Sequence, residues 1–135
     1  GRDKEAMFLD RKAWSIKSKL AQEYYENALA FSRAKKEKEA IVLYKKALEF
    51  DQGNLGLYND LASACIITGR YEEALELLLK ALELSPQFPV THNNLAVAYY
   101  YTKQYSLAVE HCDKAVALGY KVPSKLLQLI ELHRK

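Results

Sequence analysis

Residues 39–51 read EAIVLYKKALEFD and residues 73–85 read EALELLLKALELS, the same pattern displaced by 34 positions. The step carries Ala40 to Ala74 and on to Ala108, and Ala47 to Ala81 and on to Ala115. Within each pair the alanines lie seven residues apart, two helical turns, so they share one face. Alanine there is a packing signal, because helices whose axes approach to about 8–10 Å leave no room for a long side chain at the closest point. Upstream of each pair, Tyr24, Asn27, Ala28 and Phe31 become Tyr58, Leu61, Ala62 and Cys65, then His92, Leu95, Ala96 and Tyr99. This is the i, i+3, i+4, i+7 spacing of an amphipathic helix, so each unit reads as a helical pair.

Composition agrees. Among 135 residues there are only 5 Gly and 3 Pro, too few turn formers for a multi-strand sheet, and the length is too short for a catalytic barrel or a full dinucleotide-binding fold. The formal charge of +3 balances 20 Lys and Arg against 17 Asp and Glu. Basic residues gather as Arg11, Lys12, Lys17 and Lys19, as Arg33, Lys35, Lys36 and Lys38, and as Arg134 and Lys135, but acids such as Glu37 and Glu39 interrupt them. That mixture reads as a solvated face, with no nucleic-acid partner. No apolar run approaches the roughly 20 residues a membrane helix needs, and the stretch around Leu77 to Leu79 is interrupted by Glu76 and Lys80, so no membrane insertion is expected. Cys65 and Cys112 sit in apolar runs without metal-ligand spacing and read as buried free thiols. A reducing compartment suits them, and the cytoplasm is the expected location.

The order of large, apolar, small and aromatic positions on the first helix, then two alanines flanking a bulky residue on the second, resembles the tetratricopeptide repeat. Tyr58, Leu61, Ala62, Gly69, Tyr71, Ala74, Leu78, Ala81 and Pro86 fall where that repeat has its aromatic, Leu, small, turn Gly, Tyr, Ala, bulky, Ala and Pro positions. On this register, repeats run over 21–54, 55–88 and 89–122. Lys35 and Glu37 stand where repeat two has Gly69 and Tyr71, which should loosen the first turn. Ala6, Ala13, Trp14 and Ile16 extend the second-helix pattern backwards, so residues 1–20 read as an N-terminal helix, a half repeat that suggests a cut through a longer array. Leu126, Leu129, Ile130 and His133 repeat the first-helix stripe, making 123–135 a C-terminal capping helix. The resemblance thus implies an all-α, right-handed α-solenoid of three repeats with an extra helix at each end, eight helices in all.

No phosphate-binding glycine loop, HExxH, GxSxG or paired-Cys motif occurs, so no enzyme, cofactor or metal is expected. Neighbours on a helix point about 100° apart, so His111-Cys112 reads as a core thiol beside a peripheral imidazole. His92 and His133 hold aromatic positions of the repeat and read as packing residues. So do most of Tyr24, Tyr44, Tyr58, Tyr71, Tyr99 and Tyr105.

In arrays of this kind the first helices line a concave groove. The resemblance assigns to it Gln22, Tyr25, Glu26, Leu29 and Arg33 from repeat one. Repeat two supplies Asn59, Asp60, Ser63 and Ile67, and repeat three Val90, Asn93, Asn94, Val97 and Tyr101. Side-chain amides among apolar patches suit an extended peptide, whose backbone an Asn can both donate to and accept from. The same amides could instead bridge neighbouring helices. One subset of the family grips a chaperone's C-terminal carboxylate with Lys, Asn and Arg. The aligned positions here hold Tyr25, Leu29, Asp60, Val90 and Asn94, so the cationic grip is absent. With Glu26 and Asp60 in the groove, the expected partner is a neutral or mildly basic peptide. A protein-interaction scaffold or adaptor is therefore the expected function. The alternative is self-association into a homo-oligomer through Met7, Phe8 and Trp14 of the N-terminal helix.

Overall fold

The structure, a computed structural model, describes residues 1–134; Lys135, the last residue of the expected cap and of the C-terminal basic pair, lies outside the described residues. Seven helices follow one another: α1 (Arg2–Arg33), α2 (Glu37–Phe50), α3 (Leu55–Ile67), α4 (Tyr71–Leu84), α5 (Pro89–Tyr101), α6 (Tyr105–Ala117) and α7 (Ser124–Glu131). Among the described residues there is no strand. The starts of α2, α4 and α6, and those of α3 and α5, keep the 34-residue step. Local chemistry marks several of them: the Asn54 side chain accepts from the Leu57 amide at 3.1 Å, and Pro89 opens α5, where a missing amide costs nothing.

One helix fewer forms than the register implies. The expected N-terminal helix and the first helix of repeat one are a single 32-residue helix, α1. The reason is local. Residues 16–21 read IKSKLA, with neither Gly nor Pro, whereas DQGN precedes α3 and SPQF precedes α5. With nothing to break it, the helix continues.

The alanines set the packing. Ala40, Ala47, Ala74, Ala81, Ala108 and Ala115 are all fully buried. Around them, Tyr44, Leu61, Leu78 and Leu95 fill the space between successive pairs, with Cys65 and Cys112 closing the core as free thiols. The capping role falls to α7, which buries Leu126 and Ile130 beside Ala108, Cys112 and Ala115. At the other end, residues 1–19 of the chain are exposed throughout, including Ala6 and Ala13. A continuous α1 carries them past the end of α2, beyond reach of the core.

The inter-helix turns are uniform where their sequences are not. Lys35, Gly69 and Lys103, each 34 residues apart, all have positive φ, at 61°, 81° and 63°. In each case the next amide reaches back to the preceding helix: Lys36 to the Phe31 carbonyl at 2.9 Å, Arg70 to Cys65 at 2.7 Å, Gln104 to Tyr99 at 2.9 Å. These are Schellman turns, whose left-handed residue is usually glycine. The lysine at 35 was expected to loosen its turn. Instead packing on both sides holds the turn, and the side chain carries the strain.

Lys35→Gly and Lys103→Gly should each raise unfolding free energy by about 1 kcal/mol, read from urea titrations. Ala74→Leu or Ala81→Leu should lower it by about 1–3 kcal/mol, because neither site has room for three more carbons.

Candidate functional site

The residues assigned to the groove come from α1, α3 and α5, and they divide by what already holds them. Tyr25 is half-buried, and its hydroxyl donates to Asp60 Oδ2 at 2.5 Å, tying α1 to α3. Gly56 makes that approach feasible, since a Cβ there would lie 3.0 Å from the Tyr25 oxygen. Burial, then the hydrogen bond to Asp60, pushes the Tyr25 hydroxyl well above the ordinary phenol range, so it stays a donor.

Asn59 is buried, with both amide hydrogens committed: one to Thr91 Oγ1 at 2.9 Å across the α3–α5 seam, one to the Leu55 carbonyl at 3.2 Å. Its oxygen accepts from Asn94 Nδ2 at 3.2 Å. Asn59 therefore bridges helices. Asn94 is half-buried, with its oxygen and second amide hydrogen uncommitted among the described residues. Asn93 is buried, and its Oδ1 has no hydrogen-bond partner among the described residues.

Glu26 and Arg33 are exposed, while Leu29, Ser63 and Val97 are half-buried. Gln22 donates to Glu26 at 2.9 Å. Tyr101 is exposed and stacks on Tyr71 of α4, centroids 4.9 Å apart. Thr91, Gly56 and Tyr71 were absent from the sequence-based site. Each acts through a partner on another helix, and no single-helix pattern shows such a pairing. Met7, Phe8 and Trp14 are 54%, 65% and 71% exposed. Met7 and Trp14, seven apart, share a face, whereas Phe8 lies about 100° round from Met7.

Away from the groove, two histidines meet in the core. His92 Nε2 lies 2.7 Å from the Pro86 carbonyl, which can only accept, so Nε2 carries the proton. Tyr58 makes the matching bond one repeat earlier, donating to the Gln52 carbonyl at 2.9 Å. His92 Nδ1 is then the acceptor for His111 Nδ1–H, at 2.9 Å. His111 is thus buried rather than peripheral, as its place beside Cys112 had suggested, because α5 offers it both an acceptor and the Tyr99 ring to stack on. His133 packs face to face on Tyr105, with centroids 3.7 Å apart. Among the described residues no three His, Cys, Asp or Glu side chains converge on a metal-sized site, and no helix is long and apolar enough to cross a membrane.

A stack of helical hairpins that keeps one register every 34 residues defines an α-helical solenoid. Three family profiles match the chain: a tetratricopeptide repeat over residues 31–80, a TPR repeat over 62–103 and a tetratricopeptide repeat over 89–118. The chain belongs to the tetratricopeptide-repeat family. No curated protein sequence matches it. Among solved structures it is similar to the Arabidopsis OM64 TPR domain, with TM-score 0.82 and 17% identity over 87% of this chain and 99% of that one. The second TPR domain of human RPAP3, in complex with the HSP70 peptide SGPTIEEVD, gives 0.76 and 19% over 90% and 99%. The TPR2B domain of yeast Sti1, in a complex with pHsp70, gives 0.77 and 21% over 87% and 100%.

The histidine pair makes stability depend on pH. Burial, then the neighbouring His92 and Lys114, lowers the His111 pKa from 6.5 to about 4, against a small opposing pull from Glu110. As pH falls, the unfolded chain binds this proton first, so the contribution is complete above about pH 6.5 and is lost as pH falls toward 4. Urea titrations over that window should show up to about 3 kcal/mol of loss, and His111→Phe should flatten the slope.

Proposed function

We propose that this chain is a non-enzymatic protein-interaction adaptor whose concave face binds an extended, neutral or mildly basic peptide. Asn94 carries the reading. It stands half-buried on α5 between Val97 and the Asn59 bridge, one hydrogen bond fixing its orientation while its oxygen and second amide hydrogen remain for a ligand. That arrangement suits a peptide backbone, which offers a donor and an acceptor in one unit. Leu29, Val97 and Tyr101 supply apolar and stacking surface beside it.

The human and yeast neighbours support the general mode, since their structures are complexes with Hsp70 ligands. The ligand class differs. In this chain Tyr25 and Asp60, at two of the positions aligned with the carboxylate grip, are bonded to each other, and an incoming carboxylate would face Asp60 and Glu26, with Arg33, two turns along α1 from Glu26, the one cation among the assigned groove residues. Two buried unpaired thiols suit a cytoplasmic setting for such an adaptor.

Self-association is the second reading, favoured by the 71% exposure of Trp14 on a part of α1 that packs on nothing. It predicts concentration-dependent dimers in light scattering that Trp14→Ala abolishes. A monomer at high concentration would remove it.

Fluorescence polarisation with two decapeptide pools, one containing Lys and Arg and one containing Asp and Glu, tests the first reading. The basic pool should bind, the acidic pool and SGPTIEEVD should bind at least about tenfold more weakly, and Asn94→Ala should cost about fivefold, equivalent to about 1 kcal/mol. Preference for the acidic pool, or wild-type affinity in Asn94→Ala, would count against it.

A further inference from the structure

Residues 2–19 of α1 leave the stack, and this exposed stretch has a pattern of its own. Ala6, Leu9, Ala13, Ile16 and Leu20 follow one another at steps of three, four, three and four, the a and d positions of a heptad. Because the helix is continuous there, they form one stripe along it. The first four are exposed, Leu9 at 62% and Ile16 at 53%, and Leu20 is half-buried where the stack begins. Beyond Leu20 the stripe ends, since Glu23 and Asn27 hold the next two positions. The apolar seam is therefore as long as the free segment.

The e and g positions that border this seam change sign along it. Asp3, Glu5 and Asp10 stand toward the N-terminus, and Lys12, Lys17 and Lys19 toward the stack. Among the described residues no salt bridge uses any of the six. A parallel copy would set Glu5 beside Asp10 and Lys12 beside Lys17, like charge against like on both edges. It would also layer alanine on alanine, which leaves voids, and bring both stacks to the same end. An antiparallel copy, related by a two-fold axis level with Arg11, reverses each of these. Ala6 then meets Ile16 and Leu9 meets Ala13, small against large in each layer. Asp3 comes beside Lys17 and Glu5 beside Lys19, while only Asp10 and Lys12, nearest the axis, meet their own kind.

We propose that the free segment of α1 forms an antiparallel coiled coil with the same segment of a second copy of this chain, joined along Ala6, Leu9, Ala13 and Ile16. The inference rests on the self-association reading and gives it a seam and an orientation. Met7 and Trp14 border the seam on its Asp10 edge, so each Trp14 stands level with Met7 of the second copy and covers that edge. A two-fold seam of this kind closes on itself and stops at the dimer. The product carries one stack at each end of a rod about 28 Å long, a bivalent scaffold.

Sedimentation equilibrium on the full chain at low salt, where surface charges are least screened, tests the seam. Wild type should form dimers and no larger species. Leu9→Gln with Ile16→Gln should weaken dimerisation at least about tenfold. Both side chains are exposed in the monomer, so this variant should melt with wild type at concentrations where neither associates. Lys17→Glu with Lys19→Glu should weaken the dimer about tenfold, even though lowering the net charge from +3 by itself favours association. Adding Asp3→Lys and Glu5→Lys to that variant should restore wild-type affinity. A parallel pair would instead tighten on the Lys17 and Lys19 reversal, because Lys12 would gain an opposite charge at position 17. Tighter or unchanged association in that variant, or wild-type affinity in Leu9→Gln with Ile16→Gln, overturns the seam and leaves self-association standing. A chain that stays monomeric at every concentration removes the self-association reading and this proposal with it.

Discussion

How closely successive helices can approach decides everything else in this molecule. Six alanines at the same two positions of α2, α4 and α6 are fully buried, and nothing larger fits there. Close approach brings Leu61, Leu78 and Leu95 into contact across the pairs, and the same spacing repeated every 34 residues stacks the pairs in one register. Only then do side chains 35 residues apart come within hydrogen-bonding distance, as Tyr25 and Asp60 do, and as Asn59 and Asn94 do. Gly56 extends the rule to the concave face, where it leaves room for a hydroxyl where the alanines leave room for a helix. In a solenoid each unit meets only its neighbours, so these seams carry both stability and shape.

The architecture was readable because a period is a property of the sequence itself. Ala40, Ala74 and Ala108 announce it without any knowledge of what they touch. What the register could not convey was whether a helix would stop. It placed a boundary near residue 20 by analogy with later repeats, but a helix ends for local reasons, and IKSKLA offers none. The reverse happened at Lys35, where local preference argued for a changed turn. Packing on both sides imposed the same left-handed residue that Gly69 adopts without strain. Local chemistry prevailed where α1 leaves the stack, and tertiary packing prevailed inside it.

The site was legible as a list of positions and much less so as chemistry. Asn59, Asn93 and Asn94 look alike in sequence, yet they differ in how many of their hydrogen-bonding atoms are already committed. Thr91 consumes one Asn59 hydrogen from a different helix, and Asn94 itself uses the Asn59 oxygen, so Asn59 is structural while Asn94 is half free. His111 shows the same limit. Beside Cys112 on a helix it looked peripheral, because the atom that makes its burial tolerable, His92 Nδ1, belongs to α5. Buried polar groups are decided by partners, and here those partners sit on another helix, 19 residues away for His111 and 32 and 35 for Asn59.

This division explains how a chain can keep TM-scores of 0.76 to 0.82 to domains only 17–21% identical to it. The fold needs small residues at the crossings and apolar residues around them, a requirement met by many sequences. The groove is built from the remaining positions of the first helices, and these are free to change as long as each buried polar atom finds a partner. Where the substitution is self-satisfying, as at Tyr25 and Asp60, the position leaves the binding surface and becomes part of the seam. Where it is half-satisfied, as at Asn94, an oxygen and an amide hydrogen stay uncommitted among the described residues, and the proposed groove would use them. Binding specificity in such an array then depends less on which residues line the groove than on which of their donors and acceptors the stack has not already used.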